Sequence, residues 1–559
     1  MLSYTTTFCI PNPFPMPATL NISKAKFSSV TNHLLSHCWA PAAAAPSTSS
    51  SAVDAASNNS INVADTGPVA FVWVLPIAAS TRCILLLLLT LSDWLLPDHD
   101  PGDDVARFPL PPQHRTSAFG LTAFIKWDSA HYLQLATSGQ YSTQQTLAFY
   151  PTFPYVVRYV ALMWAWTTGA GDPIAASATV FVVAAVVVSN FSFILSALVL
   201  HDLLRRLVQQ SQQHEAPLTN TEVVRTAVLC YVCNPASVFF ASAYTESLFA
   251  LCSFTGMWQL VLARDAGPVA VPAAAAHVVA AGISFAAASS VRSNGLFNVL
   301  FLLAFATSVL VCKRGSWRAT AALLVSTAFA VLAAAAPFVV FNGHMHVLAC
   351  GDFACPATST GQEFVAAAVR LLQPLLLHLP GTAMYTSTGN VAGGSTVSAV
   401  SACCIRGPWG CSMYSAVQRD FWDVGFLRYF QWKQLPNFAL ACPAVAVAVF
   451  TVQEVARHMP TTSAVDKEFK SGLGPHLLLV AHLVHLMVSV FVGVFVAHVQ
   501  ITTRLLCSAC PVFYLGLAHL LCGSGGKQRH RLYSFAVVGY LISFNILGLV
   551  LFPNFYPFT

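Results

Sequence analysis

Asp128 is the side chain whose neighbours most suggest chemistry. It lies in Phe124 to Tyr141, beside Trp127 and within one turn of His131. The stretch reads as an amphipathic helix lying on a membrane surface, with Phe124, Trp127, Leu133 and Leu135 supplying apolar area. In a chain with so few charges, a carboxylate held at that level is suspect as a functional group. A solvated interfacial helix with an aromatic anchor accounts for the same residues without catalysis. The run Phe149 to Pro154 follows closely.

Four further clusters carry polar groups. Cys233 to Ser247 joins two apolar runs and ends with Glu246, which could cap a helix or serve a site. Ser289 to Gly295 is a short turn bearing Arg292, and Gly425 to Asn437 carries Arg428 and Lys433. The last is Pro553 to Thr559. Taken singly, snorkelling or capping explains each. His482 and His485 share a helix face, but their span has no acidic partner, so packing and interhelical hydrogen bonds are expected there rather than a metal. The pairs Cys230/Cys233 and Cys507/Cys510 likewise lack companion ligands and are read as core. Asp98 and Asp100 read as a solvated loop, although their spacing could bind a cation.

Composition says what must position these groups. Hydrophobic residues make up 56% of the 559 and mean hydropathy is +0.64. Only 9% are charged, against about 25% in soluble domains. That excludes a soluble globule, and global disorder with it. The net charge of +6 is spread thinly and points to no nucleic-acid partner. The fold expected is an all-α polytopic membrane protein of about eleven spans (range 8–12). They fall near 69–91, 175–199, 223–241, 245–263, 270–288, 294–312, 319–341, 436–455, 476–500, 504–522 and 532–552. Residues 1–68, rich in Ser, Ala, Asn, Thr and Pro, read as a disordered arm ahead of the membrane domain 69–559. Two long connections remain, 92–174 and 342–435. Within the first, 148–166 is apolar but contains Pro151, Pro154 and Arg158, so it is expected to be re-entrant or interfacial.

Lys and Arg positions orient the chain. With the amino terminus cytosolic, the cytosolic loops hold 12 basic residues in 64 positions and the opposite loops 10 in 195. That agrees with the positive-inside rule and turns both long loops away from the cytosol. There, Cys350, Cys355, Cys403, Cys404 and Cys411 share an oxidising location where one or two disulfides are plausible, of undetermined pairing. All five polar clusters lie on this charge-poor side, which snorkelling does not explain.

Lys126-Trp-Asp-Ser-Ala-His-Tyr-Leu133, followed by Phe149-Tyr-Pro-Thr-Phe-Pro154, resembles the PIG-V family of GPI mannosyltransferases. So do 234–250, Arg292-Ser-Asn-Gly295, 425–438 and Asn554-Phe-Tyr-Pro-Phe-Thr559, in the family's order. Lys126 stands where the family usually has Arg, and Phe558 where it usually has Trp. The resemblance implies a GT-C-like fold and an endoplasmic-reticulum membrane enzyme with a lumenal site. It would transfer the second, α-1,6-linked mannose from dolichyl-phosphate-mannose to a glycosylphosphatidylinositol precursor. A small membrane partner subunit is also implied. On this reading the reaction inverts; Asp128 is the base, with Trp127 beside it in the catalytic turn. Arg292, Arg428 and Lys433 would meet the phosphate. Lys126 would either join them or pair with Asp128, and Glu246 and His131 would contact substrate. No cofactor or metal is expected. The rival readings are another GT-C transferase acting on a lipid-linked glycan, a multipass lipid transporter, or a non-catalytic subunit.

Overall fold

The computed structural model describes residues 67–100, 102, 108, 120–168, 178–211, 220–266, 270–312, 316–350, 400, 403–404, 411–458, 474–523 and 527–558. The arm 1–66 and most of 342–435 up to residue 410, including Cys355, lie outside the described residues. Among those described, the chain is helical with no strand. The helices are α1 Gly67–Leu95, α2 Ser129–Ser138, α3 Thr152–Thr167, α4 Ala178–Ser211, α5 Asn220–Val232, α6 Ser237–Ala241, α7 Glu246–Asp265 and α8 Val271–Val291. They continue with α9 Val299–Cys312, α10 Trp317–Cys350, α11 Met413–Trp422, α12 Leu435–His458, α13 Gly474–Phe491, α14 Thr502–Ala509, α15 Pro511–Cys522 and α16 Lys527–Leu551.

Among the described residues, nine helices are long and apolar enough to cross a membrane, ten if the bent pair α14 and α15 counts as one. This is a polytopic membrane protein within the expected range. Two of the eleven expected spans are broken, and both breaks occur at proline. The apolar run 223–241 becomes α5 and α6 because Pro235 offers no N–H and its ring bars the preceding residue from the helix. The run 504–522 bends by 90° between Ala509 and Pro511 for the same reason.

The broken crossing still returns the chain to its starting side. Arg206 on α4 pairs with Asp265 on α7 at 3.1 Å, so the carboxyl ends of those helices share one end of the bundle. Residues 220–245 must therefore lead back to the end where Glu246 begins α7. The carbonyls freed by the break are met from other helices. Arg82, buried within α1, donates to Val232 O at 3.1 Å and Ser237 O at 3.4 Å, with its guanidinium 3.9 Å from the centre of the Phe193 ring. Asn545 on α16 donates to Cys233 O and Asn234 O at 3.0 and 3.2 Å.

In 148–166 the two prolines start a helix instead of breaking one. Pro151 is the N-cap of α3 and Pro154 lies in its first turn, where backbone N–H groups have no helical acceptor. Phe153, Val157, Ala161 and Ala165 form the buried face of α3, while Tyr159, Met163, Trp164 and Trp166 face outward. Arg158 reaches back to Ala136 O and Thr137 O at 2.9 and 2.6 Å, closing the carboxyl end of α2. Cys350 is bonded to Cys404 and Cys403 to Cys411, tying the end of α10 to the segment that leads into α11.

An Arg82→Lys variant keeps a buried charge but loses the planar fork that serves two carbonyls. It should destabilise the folded protein by about 1–3 kcal/mol, seen as a lower thermal midpoint in detergent.

Candidate active site

Asp128 occupies the N-cap position of α2, yet its carboxylate makes no capping bond. Its own backbone is already helical, at φ −55° and ψ −24°, so the side chain does not turn back onto the first-turn N–H groups as that of an extended N-cap residue does. Here the preceding residue, Trp127, holds φ at +60°, a left-handed conformation rare for a bulky side chain. The turn is pinned from beneath, because Tyr244 Oη and Ser129 Oγ both donate to Lys126 O, at 3.1 and 2.6 Å. The Asp128 carboxylate remains half-buried, with Oδ2 3.5 Å from a guanidinium nitrogen of Arg504.

Glu246 opens α7 and has no exposed surface. Its Oε1 accepts from Arg292 at 2.6 Å and from two nitrogens of Arg504 at 2.6 and 2.8 Å. A helix amino terminus favours the carboxylate, but the two guanidiniums are its main partners. Arg292 sits where α8 ends, its backbone extended at φ −150°, and it also donates to Thr245 Oγ1 at 3.1 Å. That tight exit requires Gly295, since a Cβ there would come within 2.5 Å of the Ser289 backbone. Arg504 lies on the buried helix α14, 4.2 Å from the ring centre of Phe239 and 5.0 Å from that of Tyr244.

A second wall comes from distant sequence. His131 packs on Phe149 with ring centres 4.6 Å apart, and the edge of Trp422 approaches it at 6.4 Å. The carbonyl of Trp422 contacts His498 Nε2. Arg428 pairs with Asp423 in the turn that follows, and Gly425 and Leu427 donate to Val496 O and Phe495 O at 3.1 and 2.7 Å. Ser293 Oγ donates to Tyr414 Oη at 3.0 Å, joining the Arg292 turn to α11. Burial lowers the His131 imidazole below its ordinary value although the Asp128 charge draws it upward. Burial likewise lowers His498, against the Trp422 carbonyl and the charges of Asp423 and Asp128. Among the described residues, Glu246 Oε2 and His131 Nδ1 are buried without a hydrogen-bond partner.

Fold and site thus bring Asp128, Trp127, His131, Glu246 and Arg292 together, with Arg428 on an adjoining turn and Lys433 exposed just beyond it. Three expectations change. The 124–141 segment does not lie on lipid: Ile125, Leu133 and Ala136 pack on Phe153, Val157 and α4, and Leu135 packs with Tyr141 and Phe149. Lys126 pairs with two other carboxylates and not with Asp128. It is 2% exposed and bound to Asp93 at 3.1 Å and Asp98 at 2.8 Å, so Asp98 is an ion-pair partner and not merely solvated. Glu246 spends one oxygen on two guanidiniums, so it is more than a helix cap. Arg504 escaped notice because it heads an otherwise apolar run; its signal is that few basic residues lie inside such runs.

Residues 73–559 match the family described as Mannosyltransferase (PIG-V). The chain belongs to the PIG-V mannosyltransferase family. Its relatives include "GPI mannosyltransferase 2" of Drosophila melanogaster, 28% identical over 500 residues, covering 87% of this chain and 99% of that one. Another is "GPI alpha-1,6-mannosyltransferase 2" of Homo sapiens, 26% identical over 549 residues, covering 87% and 98%. Among solved structures, an Archaeoglobus fulgidus oligosaccharyltransferase is similar at a TM-score of 0.42 and 12% identity, over 84% of this chain. The match spans about half of that archaeal protein, 53% of its length.

Replacing Glu246 with Gln would strand two guanidiniums in a buried site. We expect a loss of about 3–5 kcal/mol, measured as a lower melting temperature and reduced abundance of folded protein.

Proposed function

We propose that this chain transfers the second, α-1,6-linked mannose from dolichyl-phosphate-mannose to a glycosylphosphatidylinositol precursor. The site faces the lumen of the endoplasmic reticulum and the amino terminus faces the cytosol. Membership of the mannosyltransferase family and the relatives' names support the reaction, and the uneven distribution of Lys and Arg supports the orientation. A small membrane subunit accompanies it, as the family resemblance implies.

The position of Asp128 carries this reading. Its carboxylate is half-exposed, spared from capping, and 3.5 Å from an arginine fixed by a buried counter-ion. In the reaction the acceptor hydroxyl oxygen bonds to the anomeric carbon of mannose, and Asp128 takes the hydroxyl proton. The bond from that carbon to the phosphate oxygen breaks, and dolichyl phosphate leaves with the electron pair. Attack opposite the leaving group converts a β-linked donor to an α-linked product, so one carboxylate suffices where the leaving group needs no general acid. Arg292 supplies preorganised positive charge toward the leaving phosphate, with Arg428 and Lys433 at the rim, while Arg504, bound to Glu246 and facing Asp128, fixes the base on the acceptor side. Lys126 acts on the fold of the turn and not on the phosphate. Glu246, with no exposed surface, serves by fixing Arg292 and Arg504, and His131, packed on Phe149, forms part of the site wall. A departing phosphate that meets cationic side chains needs no further charge, so we propose that no metal or cofactor is needed.

Asp128→Asn should abolish transfer at unchanged abundance. Expressed in cells lacking this step, it would leave a one-mannose intermediate that the wild type clears; clearance by the variant would remove Asp128 as the base. Arg428→Ala should raise KM for the donor more than for the acceptor, and a steeper rise for the acceptor would place Arg428 elsewhere.

A further inference from the structure

The segment Phe552–Phe558 is packed into the back of the Asp128 turn, and none of the roles assigned above uses it. Asn554 is fully buried; its Nδ2 donates to Ser92 Oγ at 3.1 Å and to Val550 O at 2.7 Å, and its carbonyl accepts from His99 N at 2.8 Å. The His99 ring stacks on Tyr556 at 4.9 Å. Phe555, like Trp127, adopts a left-handed backbone, with φ +59°. The two residues face each other ring to ring, edge-on at 5.9 Å. Lys126 Nζ lies 4.6 Å from the centre of the same Phe555 ring, and its other partners are Asp93 and Asp98. Thr122 Oγ1 donates to Asp93, so the carboxyl end of α1, the Lys126 turn and the 552–558 segment form one contact network.

A bulky residue held at positive φ relaxes unless its surroundings over-determine it. Here the Phe555 ring, the Lys126 ion pairs and the Tyr244 hydroxyl bound to Lys126 O do so together. Were Trp127 to relax, the direction in which Asp128 enters α2 would change and its carboxylate would leave Arg504.

We infer that Phe555 is a positioning residue for the transfer reaction: its ring, with the Lys126 pairs to Asp93 and Asp98, holds Trp127 left-handed and keeps the Asp128 carboxylate turned to Arg504. This rests on Asp128 being the base. Phe555 touches no reacting atom.

The test uses the full-length protein in lipid nanodiscs, comparing wild type, Phe555→Ala and Phe555→Tyr. Mannose transfer is measured with dolichyl-phosphate-mannose and a synthetic one-mannose acceptor, alongside hydrogen exchange. Phe555→Ala should lower kcat about tenfold or more while each KM stays within about twofold, and Phe555→Tyr should restore most of the rate. Exchange should rise in the peptide around Trp127 and Asp128 and stay unchanged in α5. Full kcat in Phe555→Ala, failure of Phe555→Tyr to recover it, or exchange rising in α5 as well would overturn the inference. If Asp128→Asn transfers mannose at the wild-type rate, the base assignment falls. Exchange in the Trp127 peptide then decides separately whether Phe555 holds the turn.

Discussion

A carboxylate with no access to water, shared by two guanidiniums, is the constraint on which the site depends. Glu246 ties Arg292, at the end of α8, to Arg504 on α14, and both to the head of α7. None of these charges could be buried alone, since taking an ion out of water costs several kcal/mol unless a partner compensates. Because the three compensate one another, three helix ends spread over 258 residues of sequence must meet. The cluster also leaves one guanidinium nitrogen of Arg504 facing Asp128, at 3.5 Å.

Irregular backbone surrounds this cluster. The crossing before Glu246 is interrupted at Pro235, the element carrying Arg504 turns through 90° near Pro511, and a π-turn over Val492–Val496 ends α13. In a membrane such breaks free backbone groups that lipid cannot satisfy. Arg82 and Asn545 meet those of the first break, and the 425–427 turn meets those of the π-turn. The regular spans supply depth, and the breaks let polar side chains enter without leaving carbonyls unpaired.

The Asp128 turn shows the same trade in miniature. Trp127 is held in an unfavourable conformation, and Asp128 forgoes the cap that would stabilise α2. Small local losses of this kind persist where surrounding packing outweighs them, and they concentrate where side-chain direction matters for function.

Charge scarcity made much of this legible beforehand. With so few charged residues, Asp128, Glu246 and Arg292 stood out as charges on the side that should lack them, and the apolar runs located most of the spans. Trp127 and Lys126 were visible as types but not as conformations. Lys126, two residues from Asp128, read as a substrate contact or as its partner, yet its amine is held by Asp93 in the last turn of α1 and by Asp98 just beyond it. Arg504 was hidden at the head of an apolar run. Hydropathy and charge are properties of single positions, so the sequence alone determined the membrane class and which charges were suspect. Which cation meets which carboxylate depends on where proline breaks turn the helices and how closely distant helix ends approach. Those distances, and the packing of Phe555 behind Trp127, were decided only in the tertiary structure.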